Sequence, residues 1–228
     1  MATATPDALA ELRLRQLTSA ALPVGAFAYS QGLESAVEAG WVGDPAQAEA
    51  WIRGQLRHTV TTLEVPLLVR LVAAFGHSDQ AAALRWSGLL LAMRDTAELR
   101  AQERALAGAW AVLLGELGVP GAAAWSDCPQ RTALALYALA VAHYGIDVDA
   151  AARAWLWAWL EAQVSAAVRA VPLGHAAAQR LLYALAADIP TAAARGLTLP
   201  DADIAGAAPA LSIASCRHET QYSRLFRS

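Results

Sequence analysis

Apolar residues along this chain recur at three- and four-residue spacing and nowhere alternate strictly, so the pattern predicts helix after helix. Leu9, Leu12, Gln16 and Leu17 mark the first. It follows Thr5-Pro6-Asp7, a cap with proline at the first helical position and an acid in the first turn. A second helix is expected over Phe27–Ala39, stopped by Gly40. Asp44-Pro45-Ala46-Gln47 starts a third, whose stripe runs Trp51, Ile52, Gln55, Leu56, Val60, Leu63. Pro66 then kinks or restarts the chain, and Gly76-His77-Ser78-Asp79 is a turn. Helix is expected from Ala81 to Leu117 with a break at Met93–Thr96, where Asp95 and Glu98 form a plausible capping pair. Beyond Gly118-Val119-Pro120-Gly121, Pro129 opens the next helix, which ends at Gly145. Asp147 caps a long one that carries Trp155 and Trp159 on one face and Trp157 on another. A helix over His175–Ala187 and a short one reaching Arg195 follow, and Leu199–Pro209 reads as a loop. The fold class this predicts is all-α: a single globular helical domain of roughly ten helices, residues 1–214, with a tail over 215–228.

Two stretches break the pattern. In Leu22–Glu34, Pro23 fixes one backbone angle and Gly25 permits a positive one, which forces a sharp turn. Phe27 and Tyr29 then flank Ser30-Gln31, and Gly32 leaves room for close backbone approach. The other stretch is Ser215–Ser228, with three arginines, one glutamate and Tyr222, Leu225 and Phe226. Arg and Tyr are enriched at binding hot spots, and a segment that orders on meeting a partner suits this composition.

Composition narrows the chemistry. All 17 basic residues are arginine, so neither a phosphate-binding loop with its lysine nor lysine Schiff-base catalysis is available. A formal charge of −3 supplies no basic field for nucleic acid. The uncharged apolar run between Arg131 and Asp147 is shorter than the ~18–20 residues a membrane span needs. Met1–Asp7 lacks the basic-then-apolar order of a signal peptide, and Cys128 and Cys216 make no disulfide framework, so a cytoplasmic setting is expected. No two histidines stand at i, i+4. Cys216 and His218 are the weak candidates for a metal, and otherwise no metal or cofactor is expected. The residues point to a protein that binds proteins and not to an enzyme. A helical metal-dependent enzyme would need inward acids or histidines at i, i+3.

Leu22-Pro23-Val24-Gly25-x-Phe27-x-Tyr29-Ser30-Gln31-Gly32-Leu33-Glu34, its continuation Ala36–Val42, and the ending His218–Ser228 together resemble the UreF family of urease accessory proteins. Thr96-x-Glu98-Leu99-Arg100 and Val171-Pro172-x-Gly174 fit as well. Ala26, Ala28, Ala97 and Arg169 depart from the family's usual Gly, Ser, Arg and Lys, and Cys216 is not a family cysteine. The resemblance implies an all-helical cytoplasmic homodimer that acts in nickel metallocentre assembly. It would bridge a second accessory protein (UreD, also called UreH) and the GTPase UreG on the urease apoprotein, and regulate GTP hydrolysis; direct nickel relay is the alternative. It places partner binding on Pro23, Gly25, Phe27, Tyr29, Ser30, Gly32, Glu34, Arg169, His218, Glu219, Tyr222, Arg224 and Phe226. On this reading the tail folds back on the Pro23–Glu34 turn. Arg224 and Arg227 would donate to the Tyr29 and Ser30 hydroxyls, and the tail would be mobile until a partner orders it.

Overall fold

Residues 6–228 are described by the structure, a computed structural model. Its helices are α1 (Pro6–Leu17), α2 (Leu33–Glu38), α3 (Pro45–Gln55), α4 (Val65–Gly76), α5 (Gln80–Ala92), α6 (Ala97–Glu116), α7 (Ala133–His143), α8 (Val148–Ala170), α9 (His175–Ala186), α10 (Ile189–Leu197) and α11 (Pro209–His218). No strand occurs among the described residues, so the fold is all-α. The cap expected at Thr5 lies outside them.

The core forms around α7, where Leu134, Leu136, Tyr137 and Val141 are all buried. Helices α4 and α6 pack on it, and the Tyr137 hydroxyl donates to the Ala151 carbonyl at 2.9 Å. Burial pushes that phenol's pKa far above its ordinary value.

Helices α3 and α4 are one 32-residue rod, Pro45–Gly76, joined by a π-helical segment over Leu56–Glu64. This is how the chain absorbs Pro66, which has no N–H to give the preceding turn. The carbonyls of His58 and Thr62 instead accept the amides of Ala207 and Ala205, at 3.0 and 3.2 Å. A continuous rod with a rewound middle replaces the expected kink or restart. By length and composition it could cross a membrane, but 61% of its apolar window is buried inside the protein, so its apolarity serves the core.

Several boundaries differ from the sequence expectation. The helix expected over 27–39 shrinks to α2, because Gly25, Gln31 and Gly32 all take positive φ and leave only a 3-10 turn at Ala26–Ala28. Thr96, not Asp95, caps α6, since its hydroxyl accepts the Leu99 amide. Thr132 caps α7, so the helix begins at Ala133, four residues after the opening expected at Pro129. The loop expected to reach Pro209 ends there in α11, which has weak amphipathicity and a proline at its first position. A division of the chain at residue 214 therefore falls inside a helix.

Candidate functional site

The pattern-breaking loop and the tail meet. Pro23, Gly25 and the 3-10 turn carry the chain round to Tyr29, where it becomes extended. Its neighbour Ser30 is fully buried, and its amide and hydroxyl both donate to the Ser228 backbone oxygen, at 2.6 and 2.7 Å. The Gln31 amide joins them at 3.1 Å, and the Arg227 amide answers to the Ala28 carbonyl at 2.9 Å. Gly32 then starts α2 with φ +78°. A Cβ there would sit 3.1 Å from Leu211 Cδ1 and 3.2 Å from Ala214 Cβ on α11. The close approach read from Gly32 is thus contact between helices, at the head of α2.

Glu34 fixes the tail. Its carboxylate accepts the Leu225 amide at 2.6 Å and the Phe226 amide at 2.9 Å, with longer contacts to His218 Nε2 (3.3 Å) and Gln221 Nε2 (3.4 Å). His218 has 0% exposure and lies between two carboxylates, since its Nδ1 meets Glu98 Oε2 at 2.9 Å. Glu98 also takes Arg224 Nη1 at 2.9 Å. Glu219 reaches the free amides of Ala97 and Glu98, capping α6 from another part of the chain. Phe226 inserts into the core, and Arg169 lies 4.3 Å over its ring while donating to the Leu225 carbonyl.

Two expectations about this junction change. Arg224 does not reach Tyr29 or Ser30. It is taken by Glu98 and by the Glu219 and Gln221 carbonyls, while the Ser30 hydroxyl serves the chain's own Ser228. The tail expected to await a partner is docked in this structure, where the Glu34 carboxylate takes the Phe226 amide and Phe226 is buried. Of the three apolar tail residues only Phe226 is buried; Tyr222 and Leu225 stand exposed. Among the other sequence-predicted residues, Phe27 is half-buried and Tyr29 is buried. Cys216 faces solvent while His218 is enclosed, and both His218 nitrogens are already engaged. Sequence reasoning missed Glu98 as a partner of the tail, and Gln31 and Gln102 as part of the same seam. The Ser228 hydroxyl donates to Gln102 Oε1 at 2.8 Å. The available signal was Glu98 itself, an acid in the first turn of a helix that Thr96 already caps.

Behind the junction lies a buried ionic centre. Arg94 bonds Glu64 Oε1 and Glu103 Oε1, both at 2.6 Å, and the Trp155 indole donates to Glu64 Oε2 at 2.7 Å. Burial opposes the Arg94 charge, but Glu103 and Glu64 outweigh it and hold the guanidinium above its ordinary pKa. Trp159 donates to Gln31 Oε1 at 2.8 Å, so α8 grips the loop as well.

Known proteins match this chain along its length. The UreF family profile matches residues 42–186. A urease accessory protein UreF of Alkalilimnicola ehrlichii is 49% identical over 228 residues, covering 100% of both chains. One from Pseudomonas putida is 47% identical over 96% of this chain and 98% of its own. One from Klebsiella pneumoniae is 45% identical over 95% and 97%. The profile leaves out the loop and the tail, but the full-length relatives extend over both. The chain belongs to the UreF family of urease accessory proteins, and its place is in urease maturation.

Proposed function

We propose that the chain is an adaptor in nickel metallocentre assembly, joining a second accessory protein (UreD/UreH) to the GTPase UreG on the urease apoprotein. The observation that carries this reading is the docked tail. Glu34, His218 and Phe226 are spent holding it, while Tyr222 and Leu225 face outward with no intramolecular task. Aromatic and aliphatic anchors set on a preorganised backbone are what a protein partner can use at low ordering cost. The chain works in the cytoplasm as a homodimer, and the exposed Trp157 of α8 and Tyr183 of the adjacent α9 offer apolar area for the self-contact. It supplies no catalytic group of its own; any influence on GTP hydrolysis acts through the GTPase. Direct nickel relay gains no support from geometry, since Cys216 and His218 do not present a joint ligand pair. Co-expression with the second accessory protein and the GTPase tests the reading. A complex of all three should purify through a tag on any one, and failure of this chain to enter it refutes the adaptor role.

A further inference from the structure

A cavity of about 120 Å³ opens between α8 and the loop after α1. Trp155, Trp159 and Phe27 line it, and its inner end holds the ionic centre. Three carboxylates border it, Glu64, Glu103 and Glu161, against one guanidinium, Arg94. Arg94 is consumed by Glu64 and Glu103. Glu161 has no hydrogen-bond or ion-pair partner among the described residues, and burial in the cavity wall raises its pKa.

An independent feature asks for a donor. Gln163 is 1% exposed, and its Oε1 has no partner. Its orientation follows from its neighbours. The Trp159 indole can only donate, so it must face the oxygen of Gln31. Gln163 therefore gives its NH2 to that same oxygen, at 3.2 Å, and its own carbonyl stays enclosed by protein beside the cavity. A buried acceptor left unpaired is costly and calls for an explanation.

We propose that this cavity receives a lysine side chain carried by a partner protein. The proposal rests on the adaptor reading for the identity of the occupant's bearer, not for the chemistry of the cavity. Aromatic walls suit an alkyl stem and its cation, and the net negative inner end, with the unpaired Glu161 beside it, suits an ammonium with three donors. The volume approaches the roughly 150 Å³ of an engineered cavity that holds benzene. The four-carbon stem and compact ammonium of lysine fit that scale better than the longer, planar arginine side chain. The chain contains no lysine, so the occupant comes from another protein.

The test uses n-butylammonium as the probe, titrated into the full chain while the Trp155 and Trp159 indole N–H resonances are followed. Saturable shifts with a millimolar dissociation constant are expected for so small a ligand. Uncharged 1-butanol should bind about tenfold more weakly. Glu161→Gln should weaken butylammonium binding, and Ala162→Leu, which fills the cavity with a modest apolar side chain, should abolish it. In the same series Ala162→Leu should weaken assembly with the accessory partners. Absence of saturable butylammonium binding overturns the proposal, as does equal binding of 1-butanol or tighter binding of n-propylguanidinium. Unchanged partner assembly by a folded Ala162→Leu protein overturns it too. The titration needs no partner, so its failure is distinct from failure of the adaptor reading.

Discussion

Glu34→Ala removes the carboxylate that holds the tail, and its effect can be sized from the structure. Two of the four contacts are short, to the Leu225 amide at 2.6 Å and the Phe226 amide at 2.9 Å. Hydrogen bonds to a charged group contribute about 1.5–3 kcal/mol each, so these two contribute about 3–6 kcal/mol. The His218 and Gln221 contacts, at 3.3 and 3.4 Å, are too long to add much. The loss has a ceiling: once the tail has detached, further loss of its contacts is not felt by the rest of the helical domain. The expected result is therefore local. Amide exchange at Leu225 and Phe226 should quicken about a hundredfold or more, at 1.36 kcal/mol per decade. Trypsin should cut after Arg224 at a matching rate, while α7 and α8 keep their protection. Glu34→Gln retains one acceptor oxygen and should lie between the alanine variant and the wild type. Unchanged protection of Leu225 and Phe226 in Glu34→Ala would show that the carboxylate does not anchor the tail.

Three other outcomes follow from the same geometry. Gly32→Ala should cost about 1–3 kcal/mol, read as a lower denaturation midpoint, because it strains a positive φ and drives a Cβ against Leu211 and Ala214. For Glu161, burial raises the carboxyl pKa, so the folded state holds the proton more tightly than the unfolded one. Stability is then lost as pH rises from the ordinary value of 4.5 through the folded pKa, and Glu161→Gln should melt higher than wild type at neutral pH but not in acid; an unchanging difference would contradict this. The isolated chain should neither bind nor hydrolyse GTP in equilibrium dialysis and phosphate-release assays, having no lysine and no phosphate loop.

Much of the fold is legible in the hydrophobic periodicity, and the reason is visible in α3 and α8. Asp44 and Asp147 cap them as their side chains predict, and the stripe from Ile52 to Leu63 is buried. What periodicity cannot show is backbone set by distant partners. A helix is expected to begin at Phe27, but the positive φ at Gln31 and Gly32 frees the Ser30 and Gln31 amides for Ser228, some two hundred residues away in sequence. Helix α11 hides for a related reason: two of its polar residues are buried, Ser215 against Thr96 and His218 against Glu98, while Ile213 is exposed, so it carries no apolar stripe. The meeting of loop and tail is legible from their shared break with the surrounding pattern. Its chemistry is not, because the sequence suggests arginines seeking hydroxyls while the structure uses one buried carboxylate seeking amides.

The central claim is that the docked tail presents Tyr222 and Leu225 to a protein partner. Calorimetric titration of the second accessory protein against the wild type and the Tyr222→Ala/Leu225→Ala double variant tests it most directly. Both side chains are exposed, so the variant should keep the wild-type melting temperature. Its affinity should fall at least about thirtyfold, the loss of one hot-spot contact of roughly 2 kcal/mol. Wild-type affinity in the double variant would contradict the claim and move the partner surface elsewhere on the helical domain.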